Sequence, residues 1–389
     1  MGQFAIGSVP ARGPTPRSTM PGVSSKASGV VVVAGALTQP HWVPPAELRA
    51  RLARTAALAD LRAPAIDLAW QDEALPRELA HDRWLRQQLA PTLPLAPIAP
   101  GAMTAVRQLA VLSSVGADAQ GWLLEPTHFH LARDHLVLLA GAAQGLAQPQ
   151  AQALAEAIEP LLAGDGMALT LASPTHWLLR QSERPWQLDC ASADAAAGRN
   201  VDGYLPGGVD ARRYRRLLNE IQMTWHDHPV NEQRTAAGEL PINIVWLSGP
   251  VEASAIAAFR EEVAGGRYRL EESLLGPRLR DDRHAWLDAL QALDAQLHQG
   301  LTASPSPVIL LCGDHDVRRL ERGAAGGARR SRGTIAGGID ALLRRLRPTG
   351  TVAGRDAGPR APADGAPIAD PLARLFTEGP DPKMKANPA

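Results

Sequence analysis

Apolar residues recur at helical spacing in the centre of the chain, at Tyr214, Leu217, Leu218, Ile221 and Trp225. This spacing predicts a helix that packs one face on a core, with Asp210 as its N-cap. The helix should end near His226, because Pro229 lacks an amide hydrogen and disfavours helical geometry at the residue before it.

The residues after this helix predict a short second helix and then a strand. Pro229 suits the first turn of a helix, and Gly238 suits its end. The apolar run 242–247 then predicts a buried strand. The order helix, polar corner, short helix, strand would bring five polar side chains together, which we call the corner: His226, Asp227, His228, Asn231 and Arg234.

Strands and helices alternate over the rest of the chain. The pattern predicts strands at 30–33, 106–112, 121–124, 136–140, 167–171, 177–179, 268–271 and 308–311, and helices at 46–61, 75–89, 148–162, 253–263 and 284–298. This alternation predicts an α/β or α+β fold with a mixed sheet flanked by helices. We expect the core to cover 29–322, as one unit or as two lobes that meet at 210–250.

Composition predicts disorder at both ends and sets limits on partners. Residues 1–28 and 323–389 are rich in Gly, Ala, Pro, Ser and Arg, with little to bury. Lys plus Arg equals Asp plus Glu at 40 each, so no overall charge favours specific nucleic-acid or membrane binding. Two distant cysteines and the lack of a long apolar stretch predict a cytoplasmic protein with reduced thiols.

The corner is the first candidate site. Arg234 offers a planar fork of donors that suits phosphate or carboxylate, and His226 or His228 would add a second donor below about pH 6.5. The alternative is structural. A helix C-terminus favours a cationic histidine, and Asn231 and Arg234 can satisfy free carbonyl groups there.

Two other histidine groups are weaker candidates. His128, His130 and His135, with Asp134, can share a metal, or they belong to a plain strand–turn–strand hairpin of 127–131 and 136–140. Asp314 and His315 directly follow a predicted strand, where α/β enzymes place ligands. They are candidate metal ligands, or part of a surface turn.

The central stretch also resembles a known family. HDHPVNEQR, then Gly238, then LPINIVWLSG, resembles HPVN-x-x-R…G…N-x-x-W-L-x-G of archaeal-type cofactor-independent phosphoglycerate mutases. With its LLNEIQ lead-in it looks still more like a proteobacterial family of regulatory proteins from the pathogenicity-factor (rpf) cluster, whose members often carry the name phosphoglycerate mutase. In the mutases this segment lies near the phosphosugar site, so the resemblance implies an anion-binding role for Arg234 at most. We take Asn231, Asn243 and Trp246, beside the corner histidines, as further candidate ligand-binding residues.

The resemblance also implies chemistry that this sequence lacks in part. The mutases use a Ser nucleophile and two divalent cations, and take one carboxylate from their first strand. Here residues 30–33 are followed by Ala34 and Gly35. We therefore favour a catalytically degenerate regulatory protein that binds a small phosphorylated metabolite or a protein partner, without an established cofactor. The alternative is an active mutase-type isomerase or related phosphoryl-transfer enzyme with Mn²⁺ or Zn²⁺.

Overall fold

The computed structural model describes most of the chain between residues 29 and 322. The described positions are 29–37, 42–43, 47, 51, 61–62, 67–69, 75–93, 98–116, 119–141, 143, 145–181, 185–303 and 308–322. The predicted disordered ends, 1–28 and 323–389, lie outside them, as does most of the predicted helix 46–61. None of the helices formed by these positions has the length and apolar character that a bilayer crossing requires.

The described residues form two sheets flanked by helices, one mixed and one antiparallel, which confirms the predicted α/β or α+β class. The strands of the first sheet are β1 (Val30–Val33), β2 (Leu61–Arg62), β3 (Asp67–Ala69), β9 (Tyr268–Glu271), β10 (Val308–Cys312) and β11 (Asp316–Arg322). Their order is β2–β11–β10–β1–β9, and β3 also pairs with β11. β1 runs parallel to β9 and β10, whereas β11 runs antiparallel to β10, so this sheet is mixed.

The second sheet is antiparallel. Its strands are β4 (Gly121–Leu131), β5 (Leu136–Leu139), β6 (Met167–Leu171), β7 (Trp177–Gln181) and β8 (Ile244–Val251). The order is β5–β4–β7–β6, and β8 also pairs with the long strand β4. The predicted hairpin of 127–131 and 136–140 is confirmed, because residues 128–131 of β4 pair antiparallel with β5.

Helices cover both faces of each sheet. They are α1 (Ala80–Leu89), α2 (Ala102–Ala110), α3 (Gln148–Ala163), α4 (Ala193–Ala196), α5 (Ala211–His226), α6 (Pro229–Ala236), α7 (Ala253–Ala264), α8 (Leu275–Leu279) and α9 (Arg283–Ala303). In β10, Leu310 packs with α1, α2 and α7, while Ile309 packs with α9. In β4, Leu123 packs toward that same helix group, while Trp122 packs with α3 and α5. The α1–α2–α7 layer therefore lies between the two sheets.

The central motif folds largely as the sequence predicts. α5 ends at His226, and Pro229 is the first residue of α6. Gly238 adopts a φ of 77°, a left-handed conformation that glycine accepts without a steric penalty. The strand begins later than predicted, at Ile244 rather than 242, and continues to Val251.

Three local predictions are wrong. Residues 106–112 do not form a strand, since most of them lie in α2. The helix expected from 75 begins at Ala80. Asp210 occupies the N-cap position of α5, but its carboxylate does not cap the helix. Instead Asp210 Oδ2 accepts from the Gln187 amide at 2.9 Å.

Candidate functional site

The corner histidines lie between α5 and α6. The His226 side chain is 80% exposed, and its Nε2 is 3.7 Å from Asp227 Oδ1. His228 is the N-cap of α6, where its Nδ1 accepts from the Val230 amide at 3.2 Å. His226 therefore faces solvent beside a carboxylate, while His228 completes the first turn of a helix.

Asn231 is buried, and both the nitrogen and the oxygen of its side-chain amide are hydrogen-bonded. Its Nδ2 donates to the carbonyl groups of Trp225 and Ile242, both at 2.8 Å. Its Oδ1 accepts from the Ile242 amide at 2.7 Å. The side chain thus ties the end of α5 to the segment that leads into β8.

Arg234 is also buried, with 2% of its surface exposed. Its Nε donates to the Leu240 carbonyl at 2.9 Å, and its Nη1 lies 2.9 Å from Glu239 Oε2. Both contacts hold the turn between α6 and β8. A ligand that bound Arg234 would have to compete with these contacts.

Asn243 and Trp246 join the same region to the second sheet. The Asn243 side chain exchanges two hydrogen bonds with the backbone of Phe129, at 2.8 and 3.0 Å. The buried Trp246 donates from Nε1 to the Ala191 carbonyl at 2.9 Å. The structure therefore brings the predicted residues together and gives each an intramolecular partner, and their ligand-binding role stays a prediction.

A second polar group, which the sequence analysis missed, lies at the carboxyl edge of the parallel strands of the first sheet. We call Asp82, Arg107, Asp194 and Glu272 the edge cluster. Glu272 directly follows β9, whereas the other three come from α1, α2 and α4. Arg107 is 2% exposed and donates to Asp82 at 2.9 Å, to Asp194 at 3.1 Å and to Glu272. One guanidinium therefore holds three carboxylates.

His81 and Asp82 are fully buried beside Arg107. Burial lowers the pKa of His81, although Asp82 opposes this shift. Burial alone would raise the pKa of Asp82, but the charge of Arg107 and its hydrogen bond outweigh it and hold that pKa low. Neither ring nitrogen of His81 has a hydrogen-bond partner among the described residues, and its Nε2 is 3.5 Å from Asp82 Oδ2.

Two carboxyl groups near Arg107 have pKa values above their usual range. Burial raises the pKa of Asp194 to about 6, although Arg107 opposes the shift. Burial and the nearby Asp194 raise the pKa of Glu125 to about 8. Glu125 lies in β4 and faces Gln108 and Ser248, which favour its charged form. At neutral pH Glu125 is therefore mainly neutral.

The predicted metal candidate Asp314 lies on the turn between β10 and β11. Arg199 Nη2 donates to its Oδ2, and Arg278 Nη2 lies 2.8 Å from its Oδ1. We call these three residues the Asp314 clamp. Burial would raise the pKa of Asp314, but the two guanidiniums outweigh it and keep that pKa below its usual range. His315, on the same turn, is half-buried.

The strand-edge residues do not fit the two-cation site that the family resemblance implies. Within the described residues, no three His, Cys, Asp or Glu side chains are grouped so that they could hold a metal ion. Carboxylate oxygens that a divalent cation would need already accept from Arg107, Arg199 or Arg278. The positive charge of these arginines also opposes a cation.

The residues after β1 also leave no room for a metal-binding carboxylate. Gly35 has a φ of 69°, and a Cβ there would lie 2.7 Å from the Leu275 Cα. The Gly35 carbonyl accepts from Trp286 Nε1 at 2.8 Å. A carboxylate side chain therefore has no room at Gly35.

The edge cluster was missed because its members are far apart in sequence. Arg107 was assigned to a strand, where its neighbours cannot be inferred. A single Arg among the apolar residues of α2 was the available signal, since a buried cation requires a buried partner. The identity of that partner depends on how α1, α2 and α4 pack.

Comparison with known proteins finds limited sequence similarity. The 2,3-bisphosphoglycerate-independent phosphoglycerate mutase of Methanosarcina barkeri is 28% identical over 86 residues, 22% of this chain and 22% of that protein. The same kind of mutase from Methanothrix thermoacetophila is 29% identical over 72 residues, 18% of each chain. The matched region thus spans about a fifth of the length of these curated relatives. No family model matches the chain.

Two solved structures resemble the chain over a longer stretch. The cofactor-independent phosphoglycerate mutase from Thermoplasma acidophilum has 14% sequence identity and a TM-score of 0.28, covering 77% of this chain and 90% of that one. The PH0037 protein from Pyrococcus horikoshii has 12% identity and a TM-score of 0.36, covering 78% and 89%.

Proposed function

We propose that this chain is a regulatory protein related to the cofactor-independent phosphoglycerate mutases, akin to those of the rpf cluster, in which mutase catalysis has degenerated. It binds a small phosphorylated metabolite in the cytoplasm and passes its binding state to a protein partner. The corner and the Asp314 clamp are its two candidate ligand sites. Sequence similarity to two curated mutases supports the relationship.

The observation that carries the loss of catalysis is the pairing of strand-edge carboxylates with arginines. Arg107 holds Asp82, Asp194 and Glu272, and two arginines hold Asp314. Two-cation phosphoryl transfer needs carboxylates that neutralise metal ions. In this chain the negative charge of these carboxylates is neutralised by guanidinium groups instead.

The second candidate function is an active mutase-type isomerase. One observation favours it, which is that Glu272 and Asp314 follow parallel strands β9 and β10 at the same edge of the first sheet. Ligands bind at that edge in open α/β sheets. This function would require the arginines to release these carboxylates to Mn²⁺ or Zn²⁺.

Metal analysis and an activity assay separate the two functions. The purified chain should contain no stoichiometric Mn²⁺ or Zn²⁺, and a coupled assay on 3-phosphoglycerate with added Mn²⁺ should show no turnover above that of an Asp314→Ala variant. An active archaeal-type mutase serves as the positive control. About two metal ions per chain, with activity that a chelator removes and Asp314→Ala lowers, would establish the enzyme.

A further inference from the structure

The Asp314 clamp has the donor arrangement of an anion site. Arg199 and Arg278 come from different parts of the chain, after α4 and within α8, and each donates to a different oxygen of the Asp314 carboxylate. Two oxygens of a phosphate group are spaced much like those of a carboxylate, and arginine recognises both. We propose that the clamp binds a phosphate-class oxyanion, and that Asp314 occupies the place of its oxygens when no ligand is bound.

Two guanidinium groups face the single carboxylate of Asp314. The Arg199 guanidinium lies over the Tyr204 ring, 5.9 Å from its centroid. Arg77 Nη1 donates to the Tyr204 carbonyl at 3.5 Å. The carboxylate paired with Arg77 is Asp189, at 3.4 Å, and its side chain is 61% exposed, so solvent weakens its compensation. When the Asp314 carboxylate leaves the clamp, two guanidinium groups remain to pair with an incoming dianion.

The clamp is open on one side and lies on a turn. The Arg199 side chain is 29% exposed, compared with 11% for Asp314. A ligand can therefore reach Arg199 first and then displace the carboxylate. Asp314 lies between β10 and β11, so its displacement would shift this turn. This inference rests on the proposed function. It identifies the clamp as the binding site of the phosphorylated ligand, and the turn between β10 and β11 as the segment that moves when the ligand binds.

Asp314→Asn tests the site because it removes the internal negative charge and keeps the side-chain size. Isothermal titration with inorganic phosphate should show binding at least ten-fold tighter than in the wild-type chain, at ionic strength matched with chloride. Asp165→Asn is the matched control, because Asp165 pairs with the guanidinium of Arg213, which is not part of the clamp. That variant should bind phosphate like the wild-type chain.

Arg199→Gln supplies the second arm. Added to Asp314→Asn, it should remove the gain in phosphate affinity. An Asp314→Asn variant that is folded by circular dichroism, yet binds phosphate no better than the wild-type chain, overturns the proposal. If this variant does not fold, the wild-type chain decides. A phosphate-dependent rise in Tm that Arg199→Gln removes supports the site, whereas no rise overturns it.

These outcomes are separate from those that test the proposed function. A rise in Tm with phosphate that Arg234→Lys removes and Arg199→Gln preserves places the anion at the corner and overturns the clamp, but leaves a regulatory role intact. Mutase turnover overturns the proposed function without regard to where phosphate binds.

Discussion

The side-chain amides of Asn231 and Asn243 each hydrogen-bond to the N–H and the C=O of another residue, as a backbone amide would. Asn231 exchanges hydrogen bonds with the amide and carbonyl of Ile242, and Asn243 does the same with Phe129. The sequence showed where these residues would lie, because proline and glycine mark the ends of α6. It did not show that their donors and acceptors would be used within the chain, since Phe129 is 114 residues from Asn243.

Arg234 offers a direct test of the corner at this scale. Arg234→Ala should lower the free energy of unfolding by about 1–3 kcal/mol, because the Leu240 carbonyl loses its charged donor. If the ligand binds at the Asp314 clamp, thermal shifts of the wild-type chain, Arg234→Ala and Arg234→Lys, with and without 3-phosphoglycerate, should show no ligand effect that depends on residue 234. A ligand-induced rise in Tm that Arg234→Lys abolishes would instead establish the predicted anion site.

Glu125 should make stability depend on pH. Its folded pKa of about 8 lies above the unfolded value of 4.5, so its contribution is fully present below pH 4.5 and is lost as the pH rises through 8. Glu125→Gln stays neutral, so between pH 5.5 and 7.5 the wild-type chain should lose roughly 1–3 kcal/mol relative to this variant. Urea unfolding across this range measures the difference. Parallel stability curves for the two proteins would contradict it.

At the scale of helices and strands, the predictions succeeded where a proline or glycine marks an element boundary. α5, α6 and β8 are separated by Pro229 and Gly238, whose effects act on adjacent residues. In 106–112 no such residue marks a boundary, and its apolar run fits a strand or a buried helix equally well. The helix is favoured by packing, because Met103, Val106 and Leu109 share one buried core with α1 and α7.

Arg107 joins α1, α2, α4 and the segment after β9, so its loss should weaken all of these contacts at once. Arg107→Leu should lower the free energy of unfolding by about 3–5 kcal/mol, because it leaves buried carboxylates without a counter-charge. Acid should partly restore stability, since protonation removes that charge. Chemical denaturation at pH 5.5 and 7.5 tests both effects.

The matched control is Arg216→Leu on α5. The Arg216 side chain is 81% exposed and pairs with Glu220 one turn along the helix. An exposed pair of this kind contributes little, so this variant should unfold like the wild-type chain at both pH values. A similar loss in the two variants would show that Arg107 has no special role.

At the scale of the whole molecule, the helix layer between the two sheets was beyond sequence reasoning. The strands show which residues are buried, but the pattern does not distinguish one sheet from two. Leu123 and Leu178 of the second sheet share a core with Val30 and Leu310 of the first. This contact could be inferred only once the strand pairing was known.

The composition of residues 324–389 leads to a prediction at the same scale. Deleting them should change Tm by little, because this segment carries few large apolar side chains that folding could bury. Differential scanning calorimetry of the full chain and of residues 1–323 provides the comparison. A fall of many degrees would show that the segment packs on the core.

The pairing of β1 has a consequence for synthesis of the chain. Val30 lies next to Tyr268 on one side and Val308 on the other. During translation, this strand of four valines therefore emerges long before either neighbour exists. Until about 240 further residues have been added, it is an uncharged apolar strand with both edges open, the kind of segment that promotes aggregation. The first sheet can pair β1 on both sides only after residues 268–312 have been synthesised, so β1 stays open to other chains until then.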